Sequence, residues 1–269
     1  IHALEFIPGN NSAFLVGCDG GVFKTTNSGS SYSDISNNLK IAQIYKFSIS
    51  PSDPAKMISG WQDNGTNLKT AIAYRRVLGG DGMDCAIDYN NDDIMYGEYY
   101  YGSIYKSTDN GFDFNEIVTS GGTAGTVDED GNWVTPFILH PTNPNIILVG
   151  KTNVYRSTNG GSTWSTVGSV SGGSGMIVAL AYAPSNPNYI YALKSNKVFV
   201  STNGTSFTDM SAGISTAASL SNITVDPNNP QRAWVTYSGY NATVKVYYTN
   251  NGGSSWSNYS TGCRIRSLS

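Results

Sequence analysis

Apolar and polar positions follow one another along this chain in short runs rich in Val, Ile, Tyr and Phe, cut by clusters of Pro, Asn and Gly. Residues 133–141 (WVTPFILHP), 146–151 (IILVGK) and 153–157 (NVYRS) are representative. Branched and aromatic side chains suit a pleated surface, and the intervening residues supply positive φ or side-chain caps for turns. The pattern therefore predicts strands joined by turns, four to a unit, with almost no room for helices.

A second period lies over the first. Ser/Thr, any residue, Asp/Asn, any residue, Gly, two residues and an aromatic recur at Thr25–Tyr32, Ser107–Phe114, Ser157–Trp164 and Thr249–Trp256, with a copy one residue shorter at Ser201–Phe207. Copies fall 44–50 residues apart, except across one gap of 82 that hides a unit lacking the octapeptide, from Ile44 to Leu78. Six units at this period read as the blades of an all-β propeller. The blades run approximately over 1–38, 42–79, 82–119, 132–169, 176–212 and 219–261, in a single domain spanning 1–262. Residues 263–269 are a tail or the start of a further strand. Six four-stranded antiparallel blades in one ring are expected, the alternative being a seven-bladed ring, truncated or completed by a partner.

Octapeptide chemistry is that of a hairpin. The Asx side chain accepts backbone N–H groups of its own turn, Gly takes a conformation that others avoid, and the aromatic anchors the loop. Asn27, Gly29, Tyr32, Asp109, Gly111, Phe114, Asn159, Gly161, Trp164, Asn203, Phe207, Asn251, Gly253 and Trp256 are thus read as scaffold.

These copies resemble the Asp-box, or BNR, repeat of sialidase-like and sortilin-like propellers, including the bacterial xyloglucan-cleaving hydrolases and photosystem assembly factors. Residues 60–67 (GWQDNGTN) and 79–88 (GGDGMDCAID) are similar to segments of large secreted bacterial proteins carrying this repeat. The resemblance implies a fold that hosts unrelated activities. Sialidase chemistry would need an arginine triad, and the six arginines, Arg75, Arg76, Arg156, Arg232, Arg264 and Arg266, are not placed to supply one. The xyloglucan hydrolases that it resembles carry two propellers with the acid and base on different domains, so this chain matches half of such an enzyme.

Only 13% of the residues are charged, and the net charge is −3. A typical domain has about 25% charged residues. A phosphate backbone needs clustered Lys and Arg, so nucleic acid is excluded as a partner. No apolar run is long enough to span a membrane. Low charge with abundant Tyr, Asn, Ser and Thr, and a start inside a strand without Met, suggest a secreted or cell-surface domain of a larger protein. Cys18, Cys85 and Cys263 fall in different units and read as free thiols. With only His2 and His140 besides, no metal site or cofactor is expected.

Blade topology puts the octapeptides and the turns between first and second strands on one rim. The other rim collects the unusual residues: Asp19, Trp61, Gln62, Asp63, Asn64, Asp81, Asp84, Glu98, Tyr99, Tyr100, Tyr101, Trp133 and Lys151. Flat rings stack on pyranose faces while carboxylates and amides bind hydroxyls, so a polysaccharide or protein recognition module is the first reading. A glycoside hydrolase using two of Asp19, Asp63, Asp81 and Glu98 is the alternative. Asp84 and Asp88 read as structural or solvated, and Asp128, Glu129 and Asp130 as a solvated acidic tip.

Overall fold

The computed structural model describes residues 3–18, 21–36, 42–119, 127 and 129–261. The chain divides into two compact units, Ile1–Gln43 and Ile44–Ser269. The first holds one antiparallel sheet of β1 (Ala3–Ile7), β2 (Asn10–Cys18), β3 (Gly21–Thr25) and β4 (Ser33–Asp34).

Five more four-stranded meanders make up the second unit. Sheet two is β5 (Ile44–Ile49), β6 (Met57–Trp61), β7 (Gly65–Lys69) and β8 (Tyr74–Leu78). Sheet three is β9 (Gly82–Ile87), β10 (Met95–Tyr99), β11 (Ser103–Ser107) and β12 (Asn115–Val118), and sheet four is β13 (Phe137–His140), β14 (Asn143–Gly150), β15 (Val154–Ser157) and β16 (Ser165–Thr166). Sheet five is β17 (Ala179–Tyr182), β18 (Ile190–Lys194), β19 (Lys197–Ser201) and β20 (Thr208–Asp209), and sheet six is β21 (Leu220–Val225), β22 (Ala233–Tyr237), β23 (Val246–Thr249) and β24 (Ser257–Asn258). The fold is that of six propeller blades. One 3₁₀ turn, Tyr100–Gly102, interrupts the strands, and no helix among the described residues is long and apolar enough to cross a membrane.

Within the second unit each sheet packs face to face on the next, and strand alternation explains how one strand serves two interfaces. In β18, Ile190 and Ala192 join the core shared with sheet four, while Tyr191 and Leu193 join the core shared with sheet six. Equivalent cores centre on Ile147 and Val149 between sheets three and four, and on Ile58, Leu68 and Met95 between sheets two and three. At Gly60 the backbones approach so closely that a Cβ would lie 2.0 Å from the carbonyl oxygen of Met83. Only Gly permits that contact.

The four octapeptides and the shorter copy share one capping scheme, with the first hydroxyl donating to the Asx Oδ1. In sheet four Ser157 Oγ donates to Asn159 Oδ1 at 2.9 Å and accepts Gly161 N at 2.8 Å, while Thr163 N donates to Asn159 Oδ1 at 2.9 Å. The fourth box residue then docks on the turn between the first two strands of the same sheet, where Gly160 N donates to Asn145 O at 2.8 Å. The same bond recurs from Ser28 to Ser12, Asn110 to Asp93, Gly204 to Asn188 and Gly252 to Gln231. Two box aromatics reach further than their own loop, since Trp164 Nε1 donates to Ile117 O at 3.0 Å and Trp256 Nε1 to Met210 O at 2.8 Å, both in the preceding sheet. Cys85 is a buried free thiol and Cys18 a half-buried one; Cys263 and residues 263–269 lie outside the described residues.

Magnitudes rank these contributions. Asn159→Ala removes the acceptor of a turn and should cost about 1–2 kcal/mol, whereas Asn159→Asp keeps Oδ1 and should cost less. Leu193→Ala should cost about 2–5 kcal/mol through its cavity. The urea midpoint is expected to be highest for Asn159→Asp, lower for Asn159→Ala and lowest for Leu193→Ala, and equal midpoints for Asn159→Ala and wild type would contradict the capping role.

Candidate functional site

The hairpin between β6 and β7 turns through Gln62 and Asp63, with Asn64 N donating to Trp61 O at 3.3 Å. Asp63 sits at φ 59°, and its amide donates to Asp81 Oδ1 in the segment leading into sheet three. Asn64 Nδ2 donates to Gln62 O, so its side chain closes the same turn. Beside Asp81, Gly80 at φ 62° leaves room for the Tyr99 ring, which a Cβ would meet at 2.2 Å. Asp63, Asn64, Asp81 and Tyr99 thus form one local group, as the sequence placed them.

Three consecutive tyrosines follow. Alternation along a strand would bury at least one ring, but the 3₁₀ turn and a φ of 61° at Tyr101 break it, leaving Tyr99 and Tyr100 half-buried and Tyr101 45% exposed. Tyr100 stacks on Trp133, with ring centroids 5.4 Å apart and planes within 2°, and Tyr101 meets Trp133 edge-on at 5.2 Å. Tyr100 Oη donates to Tyr99 Oη at 2.8 Å, which raises the Tyr100 pKa, and the nearby Asp81 charge adds to the shift. Trp133, 39% exposed, donates its Nε1 to Tyr45 Oη at 3.2 Å. Outside the octapeptides, Asp63 and Tyr101 are the two non-glycine residues with positive φ among those described. Such strain clusters at sites where the backbone is held for a purpose.

Trp133 is held by the segment before it. Lys151 is fully buried and its Nζ donates to Thr119 O at 2.8 Å and Glu129 O at 2.7 Å. Asn153 N donates to Glu129 Oε1 at 3.0 Å, Gly131 N to Tyr101 O at 3.0 Å, and Asn132 Nδ2 to Ile177 O at 2.8 Å. Glu129 is therefore a clamp and not a solvated tip; Asp130 is exposed, and Asp128 lies outside the described residues. Lys151 has no exposed surface with which to meet a ligand.

Next to this ledge, the first strands of the five sheets enclose a cavity of about 110 Å³. Lys46, neighbour of Tyr45, and Val134, neighbour of Trp133, line it with Asp84, Leu180, Ser221 and Asn222. Burial pushes the Asp84 carboxyl up to about 6, against the pull of Lys46 and of the Cys85 amide. Behind it Glu98, fully buried, accepts Asp84 N at 2.9 Å and Thr135 N at 2.7 Å, its pKa raised by burial first and by the Asp84 charge second. Glu98 cannot touch a substrate. It fastens β9, β10 and the approach to β13 to one another.

Of the remaining sequence candidates, Trp61 lies on the face of sheet two turned away from β9, its Nε1 donating to Ser59 Oγ at 2.7 Å and its ring 6.0 Å from Tyr74. Gln62 stands at the turn tip, and Asp19 lies outside the described residues. Asp88 is buried and caps its own turn, accepting Asn90 N at 2.7 Å. Among the described residues no group of three or more His, Cys, Asp or Glu could hold a metal ion. Lys46 and Tyr45 carry no mark in the sequence, and Asp84, expected to be structural or solvated, instead stands on the cavity wall. The signal for Asp84 was available, because it follows GGDG on a first strand, and first strands face the cavity.

The repeat geometry and the sheet order together define an Asp-box β-propeller. A family model described as Sortilin-Vps10, sortilin, neurotensin receptor 3, matches residues 152–266, under half of the chain. Solved structures with the same fold include an ancestral GH74 enzyme at 18% identity and TM-score 0.66, covering 92% of this chain and 36% of that one. The GH74 xyloglucanase from Xanthomonas campestris aligns at 13% identity and TM-score 0.66, covering 94% and 44%. YCF48 from Cyanidioschyzon merolae aligns at 12% identity and TM-score 0.61, covering 97% and 85%, and YCF48 bound to D1 peptide at 11% identity and TM-score 0.62, covering 98% and 82%. The chain thus spans less than half the length of the GH74 proteins that it matches. No curated protein matches the chain.

Asp84 generates a pH prediction. Its folded pKa of about 6 exceeds the ordinary aspartate value of 3.8, so the native state holds more protons than the unfolded chain between those limits, and stability falls as pH rises through that window. Asp84→Asn, which retains an acceptor for Cys85 N, should flatten the decline between pH 4 and pH 7 in urea titrations. An unchanged slope would contradict the assignment.

Proposed function

We propose that this protein is a secreted or surface-displayed recognition module that binds a polysaccharide on the rim opposite its Asp-boxes. The observation carrying this reading is the ledge of Tyr100, Tyr101 and Trp133, stacked, partly open and flanked by Asp81, beside a cavity lined by Lys46 and Asp84. Aromatic planes offer apolar surface to pyranose faces, and a few carboxylates and amides fix hydroxyl positions. The ledge is prebuilt: Gly131, Asn132, Lys151 and Asn153 hold Trp133 in place, so little entropy is lost when a ligand lands. Likeness to a GH74 xyloglucanase supports a glycan in preference to the peptide held by one YCF48 structure, because the parallel, partly open rings of Tyr100 and Trp133 suit a sugar face better than an extended backbone.

A second reading, one half of a two-propeller glycoside hydrolase, is favoured by the Asp84 carboxyl titrating near 6, where a general acid works. Its partner carboxylate would come from another domain, since Glu98 is sealed. Reducing ends released from xyloglucan, and lost in Asp84→Asn, would replace the binding-only reading with this one.

Affinity electrophoresis through gels containing xyloglucan, mixed-linkage glucan or pectin tests the main proposal. Trp133→Ala and Tyr101→Ala should each weaken retardation by about tenfold, the equivalent of ~1.4 kcal/mol, with urea midpoints near wild type. Unretarded wild type on every polymer would refute it.

A further inference from the structure

Each sheet ends in an outer strand whose far edge has no strand beside it among the described residues. In sheets one, four, five and six that strand stops after 2 residues. In sheet three it has 4, but the Trp164 indole of the next box covers it by donating to Ile117 O. The Trp256 indole does the same for Met210 O, just past β20. Sheet two differs on both counts. β8 runs for 5 residues, Tyr74–Leu78, and the box aromatic of the following sheet is Phe114, a ring with no N–H to give.

Register shows which groups of β8 are open. The hairpin leading into it closes with Thr70 N donating to Ala73 O at 2.9 Å, and pairs in an antiparallel ladder alternate. Arg75 therefore bonds across to Leu68, while Tyr74 and Arg76 turn their N–H and C=O groups outward. Tyr74 is 56% exposed, and Arg75 and Arg76 are exposed as well. Arg75 donates to Asn110 O at 3.2 Å and lies 4.6 Å over the exposed Phe112 ring. Arg76 has neither a side-chain hydrogen bond nor a carboxylate within ion-pair distance among the described residues. Residues 44–78 hold Lys46, Lys56, Lys69, Arg75 and Arg76 against Asp53 and Asp63, in a chain whose net charge is −3. An open edge invites a further strand, and its charge decides which one.

We propose that the outer edge of β8 is a docking site for an extended acidic segment of another protein, which adds a fifth strand to sheet two. The N–H and C=O groups of Tyr74 and Arg76 supply the ladder. Carboxylates on one face of the guest meet Arg76, and apolar side chains on its other face meet Phe112 beside Arg75. A second copy is a poor guest, because β8 paired with itself sets Arg75 and Arg76 against like charges. The end of the chain, with Arg264 and Arg266, is basic too. The proposal goes beyond glycan binding and does not rest on it.

The probe is the peptide acetyl-Glu-Val-Glu-Val-Glu-amide, titrated into the whole chain with amide hydrogen exchange read by NMR. At saturation the Tyr74 and Arg76 amides should exchange at least about tenfold more slowly, while Arg75, already bonded within the sheet, should not change. Methylating alternate peptide nitrogens separates strand pairing from charge attraction alone. Methyl groups on the edge facing β8 should abolish binding, and those on the other edge should leave it intact. Arg76→Glu should weaken the acidic peptide by about tenfold or more and admit its Lys-Val counterpart. Equal binding of the two methylated peptides, or Tyr74 and Arg76 amides that stay fast at the highest peptide concentration, would overturn the proposal. So would slow exchange of both amides in the peptide-free protein together with a dimer in light scattering, which gives the edge to a second copy. Polygalacturonate carries negative charge without a peptide ladder and should slow neither amide; if it slows both as the peptide does, the edge is an anion patch and the proposal fails.

Discussion

Each Asp-box turn solves one problem with one side chain. A tight hairpin leaves several amides pointing inward, and a carboxamide or carboxylate at the third position gathers them: Asp109 Oδ1 accepts both Phe112 N and Asp113 N at 3.0 Å. Because the turn is then rigid, its fourth amide can reach the neighbouring turn of the same sheet, and it does so in all five copies. Two loops per sheet are thereby locked together on one rim. Stacked sheets keep their registry there, and the opposite rim is released from structural duty.

On the released rim, order is imposed by a different device. Buried ionisable groups at strand ends reach backbone atoms of the segments passing over them: Glu98 takes two amides, and Lys151 gives its protons to two carbonyls. A buried charge without partners costs several kcal/mol, so these bonds are compulsory, and they convert an irregular connection between sheets three and four into a fixed support for Trp133.

The fold was legible because its signals repeat. Asn27, Asp109, Asn159, Asn203 and Asn251 act only on residues within their own turn, and an interaction of that range is written wholly in local sequence. Much of the candidate rim was legible for the same reason, since strand order assigns each loop to one end of the sheet. Asp63 bonds Asp81, and Tyr99 packs beside Gly80 with Tyr100 against it. What escaped is set by distance in sequence. Trp133 stacks on Tyr100 and bonds Tyr45, 88 residues away, and Lys151 turned inward because acceptors from residues 119 and 129 were waiting. Neither fact can be written in a five-residue window.

Asp84 and Glu98 show how far a single carboxylate's role depends on that long-range setting. The amide of Asp84 donates to Glu98 Oε2, and the Asp84 charge adds to the burial that raises the Glu98 pKa.

 Fourteen residues apart in sequence, they are neighbours only because β9 and β10 pair in antiparallel register. Burial has sealed Glu98 behind the strand and left Asp84 facing the cavity with Lys46, so one carboxyl braces the wall and the other meets whatever enters. A proton taken up by Asp84 removes the charge that helps to raise the Glu98 pKa, which ties the charge of the cavity to the cohesion of the sheets around it. A ligand that supplies a hydroxyl or a cation to Asp84 would relieve the same strain without the proton.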